Sequence, residues 1–89
     1  MSALHLIFTQ QGLASCELLK TEQDKVILLG DGVYCAIGGS SDDKSFQFHI
    51  LKEDFDARGL KAQKGLRFIS YDQMVDLCVQ NTPIVSWNA

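Results

Sequence analysis

The residues best equipped for chemistry in this chain are three cysteines, Cys16, Cys35 and Cys78, and two histidines, His5 and His49. Three is an odd number of thiols, and their wide spacing makes neither a disulfide framework nor a zinc knuckle. No Cys/His/Asp grouping has metal-ligand spacing, so no metal and no cofactor are expected. A lone thiol can still act as a nucleophile where its thiolate is favoured. Cys16 suits that best. It is expected in the first turn or two of the first helix, just beyond the carboxyl end of the first strand, the edge where ligands gather in parallel α/β sheets. The positive end of the helix and Lys20, four residues on, would both favour ionisation. Such a thiolate can attack the outer sulfur of a persulfide donor and then hold that sulfur itself. The competing role is packing. Between Leu13 and Leu19, Cys16 sits at the boundary of the apolar arc, and residue types leave both roles open.

The other candidates read more simply. Cys78 ends a stripe of Tyr71, Met74, Val75 and Cys78 at i, i+3, i+4 and i+7, and is expected in the core. Cys35 follows Asp31-Gly32-Val33-Tyr34 at a strand's carboxyl edge, open to partial access, but with no base or resolving thiol supplied by the sequence a structural or incidental role is expected of it. His5 and His49 fall within strands, where structural histidines are commoner than ligands. Gly38-Gly39-Ser40-Ser41 lacks the Lys-Ser/Thr ending of a phosphate loop. Glu53, Asp54 and Asp56 suit a helix start and are expected to form a solvated face.

The elements that must position these groups are short. Strands are expected at Leu4–Phe8, Val26–Leu29, Phe46–Leu51, Leu66–Ile69 and Ile84–Trp87. Helices are expected over Gly12–Lys20 and Glu53–Arg58, with a helical turn at Val33–Ile37. The clearest helix begins at Ser70, where Ser70 and Gln73 have capping-box spacing, and ends at Asn81-Thr82-Pro83. Successive strands lie roughly 14–16 residues apart, enough for crossovers and far more than a hairpin needs. Crossovers join parallel strands with a right-handed turn. The expected fold is therefore three-layer α/β/α, a five-stranded, mainly parallel sheet with helices on both faces. Residues 1–89 form one domain in this reading.

Composition narrows the function. Hydrophobic residues are 46% and charged residues 21%, ordinary for a folded soluble chain. A net charge of -3 without a basic run argues against a direct grip on nucleic acid. No stretch approaches the roughly 20 apolar residues of a membrane span. The start lacks the features of a secretory signal, and thiols without one point to the cytoplasm. So short a domain buries limited surface, and thin helical cover leaves apolar area for a subunit interface.

Three segments stand out by order and spacing: Leu28-Leu29-Gly30-Asp31-Gly32-Val33-Tyr34, Leu51 to Leu60, and Ile69 to Leu77 followed by Trp87, with Leu4-His5 at the start. Together they resemble the DsrH/TusB family. The first is similar to its strand followed by Asp-Gly-Val/Ile-Tyr, the second to its Leu-x-x-Asp-x-x-Ala-Arg-Gly-Leu/Phe segment, and the third to its closing helix and terminal Trp. The likeness covers nearly the whole chain, and the order and spacing of the motifs carry it. It implies a flavodoxin-like DsrE/F/H-type fold and a place in a heterohexamer with TusC/DsrF-like and TusD/DsrE-like subunits. Such a complex takes persulfide sulfur from one sulfur-carrier protein and passes it to another, for 2-thiolation of the tRNA wobble uridine or, in the related complex, for dissimilatory sulfur oxidation. The principal sulfur-bearing cysteine of the family lies in the DsrE/TusD-like partner. Some members carry their own cysteine early in the first helix, where Cys16 stands, and others lack it. The short connection after Phe8, the Gly38–Ser45 loop, and Cys35 in place of a small residue depart from the family pattern.

Three functions follow as alternatives. The chain is a sulfur-relay subunit, with Cys16 at most a persulfide carrier; or it shapes the complex without carrying sulfur; or it binds a nucleotide or flavin by itself, which the fold permits. The last lacks a glycine-rich strand-to-helix turn. In isolation the chain is expected to self-associate or to be poorly soluble, and to become well behaved with its two partner subunits.

Overall fold

A computed structural model of the chain describes residues 3–19, 21, 23–37, 48–61 and 66–88. Lys20, the Gly38–Ser45 loop and the first two residues of the expected third strand, Phe46 and Gln47, lie outside the described residues. The chain runs β1 (Leu4–Ile7), α1 (Gln10–Leu19), β2 (Lys25–Leu28), a 3-10 helix (Gly30–Ile37), β3 (His49–Leu51), α2 (Lys52–Ala57), β4 (Arg67–Ile69), α3 (Tyr71–Gln80) and β5 (Ile84–Trp87). The strands form one sheet in the order β4-β3-β2-β1-β5, and every pairing is parallel.

Strand order explains the layers. The steps β1 to β2 to β3 to β4 all move the same way, so right-handed crossovers put α1, the 3-10 helix and α2 on one face. The return from β4 to β5 runs the other way and puts α3 on the opposite face. Strand residues alternate accordingly. Ile7, Val26, Leu28 and Ile50 join Cys16, Val33, Ala36, Phe48 and Phe55 under the first layer. Leu4, Ile27, Leu51 and Ile69 pack under Met74 on the second. The α/β/α expectation holds, and the sheet is parallel throughout.

α2 is only six residues long, and an edge-to-face contact anchors it, with the Phe55 and Phe68 rings 4.9 Å apart. α1 approaches β5 so closely that a Cβ on Gly12 would lie 2.6 Å from the Trp87 carbonyl oxygen. Gly32 plays the same part where the 3-10 helix meets the Ile7 backbone. Only a residue without a side chain permits either approach.

α3 starts as its sequence dictates. The Ser70 hydroxyl accepts from the Gln73 N–H (3.2 Å), and the Gln73 side chain accepts from the Ser70 N–H (2.8 Å). Its register against the sheet departs from the expected stripe. Met74, Leu77 and Cys78 face inward, whereas Tyr71 and Val75 are exposed. Among the described residues, no helix is long and apolar enough to cross a membrane.

Candidate functional site

Past the carboxyl ends of β1 and β2, a cleft of about 620 Å³ is lined by Thr9, Gln10, Gln11, Asp31 and Tyr34. Thr9 caps α1, its hydroxyl accepting from the Gly12 N–H at 2.9 Å. The floor of this edge is set by two segments far apart in sequence. The Asp54 carboxylate on α2 accepts from the Gly30 N–H at 2.7 Å. Arg58 donates from Nε and Nη2 to the Asp31 carboxylate at 3.2 and 3.1 Å, and from Nη1 to the Asp54 carbonyl at 3.2 Å. The Asp-Gly-Val-Tyr and Leu-x-x-Asp-x-x-Ala-Arg segments are thus one structural unit, in which α2 holds the turn that begins the 3-10 helix. Asp54 therefore departs from the solvated face expected of it. Glu53 and Asp56 are exposed as expected, and Asp56 pairs with Lys52 at 2.7 Å, a surface pair of small energetic weight.

The thiols stand away from the cleft lining. α1 begins at Gln10, two residues before the expected start, so Cys16 lies in its second turn, beyond the reach of most of the terminal dipole. Its side chain has 0% exposure, within the core formed with Ile7, Val26, Leu28, Val33 and Phe55. Cys35 is half-buried against the same core. Burial pushes its thiol pKa up, and the Glu17 carboxylate adds to the rise. Cys78 is half-buried against the opposite core rather than enclosed. No disulfide joins the three.

His5 is structural, as its strand position suggests. Its Nδ1 accepts from the Trp87 indole N–H (3.0 Å), and its Nε2 lies 2.8 Å from Asp24 Oδ2. Indole N–H can only donate, so Nδ1 carries the lone pair and Nε2 carries the proton that Asp24 accepts. Asp24 also accepts from the Ala3 N–H (3.0 Å), the Thr21 N–H (3.1 Å) and the Thr21 hydroxyl (3.0 Å). The His5 bond is the largest cause holding the Asp24 carboxyl well below the usual carboxylate range, followed by the Ala3 N–H. Burial, and then Arg67 and Lys25, lower the His49 pKa and so favour its neutral form.

The cleft offers hydroxyls, amides and a carboxylate already engaged by a guanidinium. Among the described residues that line it are no thiol and no imidazole, and what they offer a ligand is hydrogen bonds. Among the described residues, no three His, Cys, Asp or Glu side chains come together as metal ligands. Sequence reading placed Asp31 and Tyr34 at this edge but passed over Thr9, Gln10 and Gln11. The available signal was Thr9, a capping residue immediately after an apolar strand.

Fold and edge together define a small three-layer α/β protein with an all-parallel sheet and a polar recess at the carboxyl ends of its first two strands. Residues 7–84 match the family described as DsrH like protein, and the chain belongs to that family. It is 33% identical to Protein TusB of Erwinia tasmaniensis, across 94% of this chain and 99% of that protein. It is 38% identical to Protein TusB of Salmonella arizonae and of Salmonella newport, across 83% of this chain and 84% of each relative.

Proposed function

We propose that this chain is a cytoplasmic, single-domain subunit of a persulfide sulfur-relay complex serving 2-thiolation of the tRNA wobble uridine, assembled as a heterohexamer with DsrE- and DsrF-like subunits. The observation that carries the proposal is the near end-to-end likeness to proteins named TusB, at 33% and 38% identity. The junction of the two motif segments through Asp54 and Arg58 supports it, because it gives the shared residues one structural task.

Within the complex, the chain shapes and docks, and a cysteine of the DsrE-like partner carries the sulfur. The complete burial of Cys16 in an apolar core supports that division. Relay requires a thiolate to attack the outer sulfur of a donor persulfide, forming a new persulfide as the donor departs as thiolate. A thiol enclosed by Ile7, Val33 and Phe55 meets no donor unless α1 moves.

The test is the purified three-subunit complex treated with a persulfide donor, with intact mass measured for each subunit. Added sulfur is expected on the DsrE-like partner, and relay by Cys16→Ala is expected at the parental rate. Sulfur appearing on this chain and vanishing in Cys16→Ala would make Cys16 a carrier. Deleting the gene should lower tRNA 2-thiouridine; an unchanged level would overturn the tRNA reading.

A further inference from the structure

α3 carries apolar side chains on two sides of its axis. Met74, Leu77 and Cys78 pack against the sheet, while Tyr71, Val75 and Val79 are 54%, 44% and 77% exposed. Spaced four residues apart, these three stack into one stripe. A surface helix ordinarily turns polar side chains outward there. Asp72 and Asp76 run beside the stripe as a second row, one position on from Tyr71 and Val75. The helix contains no Lys or Arg, and neither carboxylate has an ion-pair partner among the described residues.

We propose that the stripe of Tyr71, Val75 and Val79 is the docking face for a helix of a partner subunit whose own apolar stripe is edged by lysine or arginine. The proposal rests on the reading of this chain as a subunit of a relay complex. Helix-against-helix docking uses apolar anchors repeated along one face, with a polar rim that sets partner and register. Here the rim on the helix is Asp72 and Asp76 followed by the neutral Gln80, and its two carboxylates call for cations opposite. A second copy offering the same helix would bring two more carboxylates and no cation, so self-pairing leaves the rim unanswered. An anionic lipid surface is repelled for the same reason. Leu18 is 84% exposed but belongs to α1, in the opposite layer, and serves as the control position.

The experiment is hydrogen exchange on the assembled complex, together with assembly affinities of variants measured by sedimentation. Assembly is expected to slow exchange over Tyr71–Gln80. Val79→Asp should weaken assembly at least about tenfold, in the range of interface anchors, with an unchanged melting curve for the isolated chain. The double variant Asp72→Lys and Asp76→Lys should weaken it similarly and flatten or reverse its salt dependence. Leu18→Asp should assemble as the parent does. Parental affinity in a folded Val79→Asp would overturn the proposal, as would loss of assembly in Leu18→Asp but not in Val79→Asp. Self-association of the isolated chain that Val79→Asp abolishes would assign the face to a second copy instead. A complex that forms with α3 unprotected defeats this inference and leaves the functional reading standing. Failure to form any complex with the relay subunits defeats both.

Discussion

Replacing Asp24 by Asn tests whether one carboxylate ties the start of the sheet together. Asp24 accepts four hydrogen bonds, two on each oxygen: Ala3 N–H and the Thr21 hydroxyl on Oδ1, His5 Nε2–H and Thr21 N–H on Oδ2. Its side chain is 9% exposed, so water is a poor substitute. An amide has one oxygen and one NH₂ group. With NH₂ in the Oδ2 position, it opposes the His5 and Thr21 N–H groups. His5 cannot switch tautomer in response, because Trp87 requires a lone pair on Nδ1. Flipped, the NH₂ opposes the Ala3 N–H. Either way at least one backbone donor is stranded and the charge assistance is lost, a cost of about 1–3 kcal/mol. For a domain of this size that is roughly 5–20 °C in Tm. Urea and thermal melts followed by far-UV circular dichroism measure it, and Trp87 fluorescence reports the His5 bond. The pH dependence carries a sign. Asp24 has a depressed folded pKa, so its contribution is fully present above the ordinary value of 3.8 and is lost as pH falls below it. The parent should therefore lose stability below about pH 4 more steeply than Asp24→Asn. Melts within about 0.3 kcal/mol of each other, or matching acid slopes, would refute the bonding scheme.

Ser70→Ala removes the hydroxyl half of the capping box and should destabilise by about 0.5–2 kcal/mol, read from urea midpoints at unchanged m-value. The three thiols should alkylate in an order set by burial: Cys78 and Cys35 in the native state, Cys16 only on opening or unfolding. Because burial and Glu17 raise the Cys35 pKa, its rate should keep climbing through pH 9 without a plateau. Rapid native labelling of Cys16, resolved by peptide mass, would show that α1 opens readily.

Much of the architecture was legible along the chain, for reasons that act locally. Short apolar runs, such as Val26–Leu29 stopped by Gly30 and Ile84–Trp87 opened by Pro83, set the strands, and their separation forced crossovers and hence parallel pairing. Ser70 and Gln73 announced α3 because a cap is satisfied within four residues. The two motif segments were visible as strings, though nothing in the strings said that they touch.

Facing and proximity were decided only in three dimensions. On α3 the apolar positions Tyr71, Met74, Val75, Leu77, Cys78 and Val79 span an arc of about 200° at 100° per residue, wider than one sheet face covers. The pattern was thus compatible with several rotations, and the sheet selected Met74, Leu77 and Cys78. Cys16 lay at the edge of an arc on paper; the 3-10 helix, bringing Val33 and Ala36 against α1, closed it in. Asp24, His5 and Trp87 meet across separations of 19 and 82 residues, and Asp54 meets Gly30 across 24. Such bonds depend on strand order and on which way each crossover turns, and hydrophobic periodicity encodes neither. The sequence by itself determined the kinds of elements and the family, because both depend on residues near one another in the chain. The tertiary structure alone decided which thiol is enclosed and which helix face is left bare, because both depend on what packs on top.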